Sequence, residues 1–317
     1  MHRNHRIAVV IPAYCEEKSI GQVIMGLPEW VDQIVVVDDA STDQTATAVS
    51  QIADPRVVLI RHTHNQGVGS ATITGFKKAL DMRGDILIKM DGDGQMDPRH
   101  ILNLLDPLVD GIADYSKGNR FRSVEMLREM PFVRLLGNAA LTFMVKLASG
   151  YWHIFDPQNG FVAIRSEIAR KIHWDQLDHR YFFEDDTLIN LNIIEARVID
   201  IPMASRYCAS HSSLHPYQIL FTHPPRLLCG FFKRIWLRYV LYDFSPIALL
   251  LCLGFPLTFF GGIWGAVAWL KSILSGHVAT TGTVMLSVLP ILMGIQFLLS
   301  ALQLDIQNSP RPTSKGT

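Results

Sequence analysis

Through the first hundred residues short apolar runs, each closed by polar or chain-bending residues, alternate with amphipathic stretches. Residues 7–11 end at Pro12, residues 33–37 run into Asp38-Asp39-Ala40-Ser41-Thr42-Asp43, residues 57–61 precede a glycine-containing turn, and residues 86–90 lie between Gly84 and Gly92. Runs this short, rich in Val and Ile, predict buried strands rather than helices. Pro12 is expected to stop the first strand because it cannot donate to a ladder. Helices are predicted from the polar turn after Tyr14 through Leu27, over 43–52, and from Gln66-Gly67-Val68-Gly69-Ser70 to Met82. Ser41 or Thr42 would cap the second of these, with Asp43 favourable in its first turn. Strand and helix alternating over short connections predict an α/β fold with a parallel, right-handed, doubly wound sheet. Tyr14, Asp39 and Asp91 then emerge together at the carboxyl ends of the strands, where such sheets bind nucleotides.

Beyond Asp114 the pattern is less regular. Lys117-Gly118-Asn119-Arg120 follows a predicted strand, and residues 131–152 form an apolar helix broken by Arg134, Asn138 and Lys146, expected to lie at a membrane interface. Asp156-Pro157-Gln158-Asn159-Gly160-Phe161 reads as a turn leading into a strand. Glu184-Asp185-Asp186 opens a helix towards Glu195, its acids complementing the helix dipole. A strand ends at Ile199-Asp200-Ile201-Pro202, and Arg206 with Ser210, Ser212 and Ser213 follows in a polar loop. Residues 219–246 are aromatic and basic. A helix starting at Pro224-Pro225 would carry Arg226, Lys233, Arg234 and Arg238 on adjacent stripes and attract anionic headgroups.

The last part differs in kind. Residues 247–270 and 283–304 carry no charged side chain, and each run as a helix rising about 1.5 Å per residue would cross a hydrocarbon core of roughly 30 Å. Of 29 Lys plus Arg only Lys271, Arg311 and Lys315 follow residue 246, and of 29 Asp plus Glu only Asp305 does. The division expected is a soluble domain over 1–218, interfacial helices over 219–246, two transmembrane helices within 247–304, and a disordered cytoplasmic tail over 305–317. The basic residues before the first span put the large domain and both termini in the cytoplasm by the positive-inside rule. Residues 7–11 are too short for a signal peptide. Hydrophobic content of 49% and zero formal net charge exclude a disordered chain and give no sign of nucleic-acid binding. Four scattered cysteines suggest neither a disulfide framework nor a zinc site.

The chemistry concentrates in Asp91-Gly92-Asp93-Gly94-Gln95. Two carboxylates and an amide, among glycines that let other groups approach, suit a hard divalent cation that also holds phosphate oxygens.

Together with Val9-Val10-Ile11-Pro12-Ala13-Tyr14-Cys15-Glu16-Glu17, Val36-Val37-Asp38-Asp39-Ala40-Ser41-Thr42-Asp43 and Asn65-Gln66-Gly67-Val68-Gly69, this motif resembles the family 2 inverting glycosyltransferases of GT-A fold. Among these it is most similar to the polyprenyl-phosphate glycosyltransferases of the dolichol-phosphate mannose synthase type. The resemblance implies that Pro12, Tyr14, Glu16, Asp39, Asp91 and Gly92 line a nucleotide-sugar pocket, that Asp93 and Gln95 hold Mg2+ or Mn2+ on the diphosphate, and that Arg120 and Arg206 meet phosphates. It also places the Asp156 turn over the donor sugar and the acceptor, and an acidic pair, Glu184 and Asp185, on the acceptor side. Asp156, Glu184 and Asp185 stand as alternative bases, although an acceptor phosphate is already ionised at neutral pH. Cys15 departs from the family, which usually has asparagine there.

The implied function is transfer of a sugar from a UDP- or GDP-sugar to an isoprenoid phosphate at the cytoplasmic membrane face, in cell-envelope or glycolipid synthesis. A homo-oligomer is compatible with it. The rival readings are transfer to another lipid or glycan, and a catalytically silent nucleotide-binding scaffold. The Gln-x-x-Arg-Trp signature of processive members is absent, which disfavours polysaccharide synthesis.

Overall fold

The computed structural model describes residues 1–120, 132–203 and 216–313. Within them the strands β1 (Ile7–Ala13), β2 (Gln33–Asp38), β3 (Val57–Arg61), β4 (Ile86–Lys89), β5 (Tyr115–Asn119), β6 (Val162–Arg165) and β7 (Val198–Pro202) form one sheet in the order β3-β2-β1-β4-β6-β5-β7. The pairs among β1 to β4 are parallel, and β6 is antiparallel to both its neighbours, β4 and β5. The helices that accompany them are α1 (Ile20–Met25), α2 (Thr45–Ser50), α3 (Val68–Asp81), α4 (Ile101–Val109), α5 (Phe132–Ser149), α6 (Ser166–Ala169), α7 (Phe183–Ile193) and α8 (Pro216–Ile235).

The central strands are buried on both faces, which is why they read as continuous Val and Ile runs. Ile7, Val9, Ile11, Ile34, Val36, Ile86, Ile88 and Met90 join Ile20, Val23, Ile24, Leu104 and Leu108 in one core. The opposite face of β1 and β2 receives α3. Alternation along β4 therefore turns Lys89 and Asp91 to the face away from Ile88 and Met90.

Four local expectations change. β1 continues through Pro12, which pairs with Val37. Even-numbered β1 residues face β4, whose pairing ends at Val10 and Lys89, so the proline sits where no ladder donor is needed. Neither Ser41 nor Thr42 caps α2. The Ser41 hydroxyl instead accepts from the Cys15 amide at 2.9 Å, and Asp43 accepts from the Thr45 amide at 3.0 Å. Lys117 to Asn119 belong to β5 itself rather than to a loop after it. Finally, α8 begins at Pro216 and carries Pro224 and Pro225 inside it, an interrupted ladder that does not end the helix.

The chain divides into two compact units, Met1–Phe231 with the segment from Pro310, and Phe232–Ser309. In the second, a stretch of π-helix (Trp236–Leu241) precedes α9 (Pro246–Ser275) and α10 (Thr281–Gln307), of 30 and 27 residues. Both are long and apolar enough to cross a membrane. Large apolar side chains such as Phe259, Ile263, Trp269 and Leu292 face outward. The two helices meet over small residues: a Cβ on Gly261 would lie 2.6 Å from the Ser287 carbonyl, and one on Gly294 2.8 Å from the Gly254 carbonyl. Close backbone approach of this kind is how apolar helices associate where lipid removes the hydrophobic drive.

Two further expectations fail here. Arg234 is fully buried and bonds Asp305 through both guanidinium ends, at 2.7 and 2.9 Å, while the Tyr239 hydroxyl donates to the same carboxylate at 2.6 Å. Arg238 donates to the Asn308 carbonyl at 2.9 Å. These arginines tie the second unit together rather than facing headgroups. Of the expected disordered tail, residues 305–307 belong to α10 with Asp305 in the ion pair, and the Thr313 amide donates to the Ile112 carbonyl at 3.0 Å within the first unit.

Candidate active site

The carboxyl ends of β1, β2, β3 and β4 lead into the four motifs. At the end of β4 the Asp93 carboxylate accepts from the Gln95 amide at 2.9 Å across a turn whose Gly94 has φ +76°. That conformation favours glycine. Burial, with the charge of Asp91 adding to it, raises the Asp93 carboxyl above its ordinary range despite the Gln95 bond. Glu16, after β1, is likewise raised, first by burial and then by the charges of Asp93, Asp43 and Asp91, while its bond from the Ser19 hydroxyl opposes the shift. Glu16, Asp91 and Asp93 thus share one under-neutralised negative field, an environment that a divalent cation relieves. Among the described residues no three His, Cys, Asp or Glu side chains converge as a complete metal cage. Asp93 with the side-chain carbonyl of Gln95 would offer a partial oxygen set, the kind that leaves positions for phosphate oxygens and water.

Asp39, at the end of β2, is almost wholly buried and organises the next loop. Its Oδ1 accepts from the Gln66 amide at 2.9 Å and meets His62 Nδ1 at 2.7 Å, and its Oδ2 accepts from the Gly67 amide at 2.8 Å. Each carboxylate oxygen has two lone pairs, so Oδ2 retains capacity for one ligand donor. Pro12 is buried in β1, and Tyr14 just after it is exposed. Gly67 and Gly69 are required by close approach: a Cβ on either would strike the backbone at His179 or Asp178. That contact closes the segment before α7 over the start of α3.

Cys15 has φ +57°, a left-handed conformation that asparagine tolerates and most side chains do not. The departure from the family residue therefore carries backbone strain. Cys15→Asn is expected to stabilise the protein by about 1 kcal/mol, read as a higher melting temperature.

The three carboxylates weighed as alternative bases separate clearly. Asp156 is buried beneath Arg120, whose Nε and Nη2 reach it at 2.8 and 3.1 Å and whose amide adds a third bond at 3.0 Å. Burial alone would push its carboxyl up, but the Arg120 bonds and charge, with Lys117, outweigh that and hold it low. So placed, Asp156 anchors Arg120 and the turn and is a poor base. Asp185 is fully buried, neither of its oxygens finding a donor at full bonding geometry; the Gln158 amide lies near enough only to lower its pKa somewhat. Burial first, then the Glu184 charge, push it up to about 7. Because the folded value lies above the ordinary one, ionised Asp185 opposes folding: the penalty is absent below about pH 4, grows as pH rises, and is complete above 7. Asp185→Asn should therefore melt higher than the wild type at about pH 8, with the gain vanishing towards about pH 4. Glu184 is nearly buried and bonds Lys89 at 3.1 Å. Arg206 lies outside the described residues.

Sequence reasoning missed two buried lysines. Lys89 is bonded to Asp91 at 2.8 Å as well as to Glu184, and Lys117 donates to the carbonyls of Asp156 and Asn159, the latter at 3.2 Å. The signal was available for Lys89, the one charged residue inside the apolar run of β4.

The arrangement of strand-end carboxylates on this sheet coincides with a family match. Residues 8–173 match the model for glycosyl transferase family 2. The chain belongs to that family. Relatives include the UDP-N-acetylglucosamine--dolichyl-phosphate N-acetylglucosaminyltransferase of Methanococcus voltae, 32% identical over 63% of this chain and 86% of that one. The polyprenol monophosphomannose synthase of Mycolicibacterium smegmatis is 32% identical over 57% of this chain and 70% of its own. Glucosyl-3-phosphoglycerate synthase from Mycobacterium tuberculosis, solved with Mn2+, UDP-glucose and phosphoglyceric acid, shares the fold at TM-score 0.53 and 20% identity over 73% of this chain and 80% of that one. As a family 2 member the protein is a glycosyltransferase of GT-A fold. The matched region stops before α7, so Glu184 and Asp185 lie beyond it.

Proposed function

We propose that this glycosyltransferase moves a sugar from a UDP- or GDP-sugar to a polyprenyl phosphate at the cytoplasmic face of a membrane. The observation that carries the reading is the union, in one chain, of the Asp39, Asp91 and Asp93 edge with two helices of bilayer length. The relatives named for dolichyl phosphate and polyprenol support the acceptor class.

In this reading the exposed ring of Tyr14 and the spare capacity of Asp39 Oδ2 receive the nucleoside. Asp91, whose Oδ1 accepts from Lys89, would meet the ribose through Oδ2. Asp93 and Gln95 would hold Mg2+ or Mn2+, consistent with the Mn2+ in the fold relative. Such a cation stabilises the charge that builds on a departing diphosphate. Arg120, with Arg206, which lies outside the described residues, would add positive charge on the phosphate side. The acceptor phosphate oxygen is already ionised at neutral pH, so the protein has to orient it rather than deprotonate it. Attack on the anomeric carbon from the face opposite the nucleotide inverts the linkage. The basic residues preceding α9 favour a cytoplasmic catalytic unit.

The test is to incubate detergent-solubilised protein with a polyprenyl phosphate and a panel of UDP- and GDP-sugars, and to weigh the lipid fraction by mass spectrometry. Gain of one sugar on the lipid with one donor supports the reading. Transfer only to a diacylglycerol or to a glycan would replace it.

A further inference from the structure

We propose that Lys89 is a positioning residue coupling the donor side of the site to its acceptor side, by holding Asp91 and Glu184 on one buried ammonium. The inference rests on the reading of Asp91 as a donor-site carboxylate and goes beyond it in naming how the two sides communicate.

Lys89 is the last residue of β4, hydrogen-bonded between β1 and β6 at the middle of the sheet, and only 1% of its side chain is exposed. A buried ammonium is costly unless paired. Here two carboxylates pair it, and burial is outweighed by the charges of Asp91 and Glu184, so that its pKa is raised rather than lowered. The two come from distant parts of the chain, one from the turn after β4 and the other from the first turn of α7. Asp91 accepts from Lys89 through Oδ1 at 2.8 Å, and Glu184 through Oε1 at 3.1 Å, so each engages the ammonium by one oxygen. A nucleotide that donates to the remaining oxygen of Asp91 therefore shares that carboxylate with the ammonium that also fixes Glu184.

A third segment is seated on the same group. A Cβ on Gly160 would collide with Lys89 Nζ and lie 3.0 Å from Asp91 Oδ2. The turn ending at Gly160 thus rests directly on the trio. Lys117 grips that turn from its other side through the carbonyls of Asp156 and Asn159. Asp91, Glu184 and the turn consequently shift as one body. Coupling between two sites is reciprocal: the factor by which Glu184 alters nucleotide affinity equals that by which nucleotide alters the state of Glu184.

The test is a double-mutant cycle on the full-length protein in detergent. UDP and GDP are titrated calorimetrically with Mn2+ into wild type, Glu184→Gln, Lys89→Met and the double variant. Glu184→Gln should change the Kd of the nucleotide that binds by about five- to tenfold in the wild-type background, and by less than about twofold where Lys89 is methionine. A Glu184→Gln effect of equal size in both backgrounds overturns the proposal, as does a Kd unmoved by Lys89→Met. A merely structural lysine would lower the melting temperature and leave the Kd of the folded protein alone. Should Lys89→Met not fold, Gly160→Ala keeps every charge while displacing the ammonium. It should weaken nucleotide binding and erase the Glu184→Gln effect, and persistence of that effect overturns the proposal. Wild type binding neither nucleotide would sink the donor-site reading itself, and with it the coupling.

Discussion

Asp93→Ala should lower sugar transfer by roughly a hundred- to a thousandfold, the scale on which a single preorganised electrostatic contact to developing charge acts. The fold should survive it. Asp93 is only partly buried, its carboxyl is raised by burial and by Asp91, and it accepts from the Gln95 backbone amide in its own turn. Removing the side chain relieves repulsion with Glu16 and Asp91 while deleting the group placed to hold a cation. Release of nucleoside diphosphate, measured beside a thermal melt, separates the two effects. Undiminished transfer by a well-folded variant would remove Asp93 from the account of the leaving group.

In the second unit the largest effect should come from Asp305→Ala. Arg234 is fully buried and pairs with Asp305 through two bonds, and the Tyr239 hydroxyl donates to the same carboxylate. Deleting one partner of a buried pair leaves an uncompensated charge, at a cost of about 3–5 kcal/mol. Replacing both partners, as Arg234→Met with Asp305→Leu, should recover most of that loss, since apolar packing of similar volume commonly matches a buried ion pair. Melting in detergent tests the pair of predictions. A double variant no more stable than Asp305→Ala would show that the residues act separately.

The half of the chain nearest the nucleotide edge was legible because its signals are local. β3 falls on residues 57–61 as expected, and the starts of β2 and β4 fall at Gln33 and Ile86, because each is an apolar run bounded by Gly or polar residues. The β1 boundary was misplaced because Pro12 was judged by what a proline forbids and not by which neighbour it would have faced. Cys15 was legible as a departure, but the reason that asparagine suits the position, a φ of +57°, is a property of the backbone and not of the residue pattern. The buried pairings were hidden for a different reason. Lys89 meets Glu184 across 95 positions and Arg234 meets Asp305 across 71, and no periodicity records such a contact. Arg234 and Arg238 looked like a membrane-facing stripe because Asp305 stood alone in an apolar sequence, with nothing near it to mark it as their partner. The same holds for Asp156, whose role as the seat of Arg120 depends on a bond over 36 positions.

The central claim is that nucleotide-sugar cleavage is tied to a lipid phosphate. Its most direct measurement is release of nucleoside diphosphate by the detergent-purified protein, over UDP- and GDP-sugars with Mg2+ or Mn2+, in the presence and absence of a polyprenyl phosphate. Release that requires one donor and the lipid together is the predicted result. Release at the same rate without the lipid, or only when a different acceptor is supplied, would contradict it.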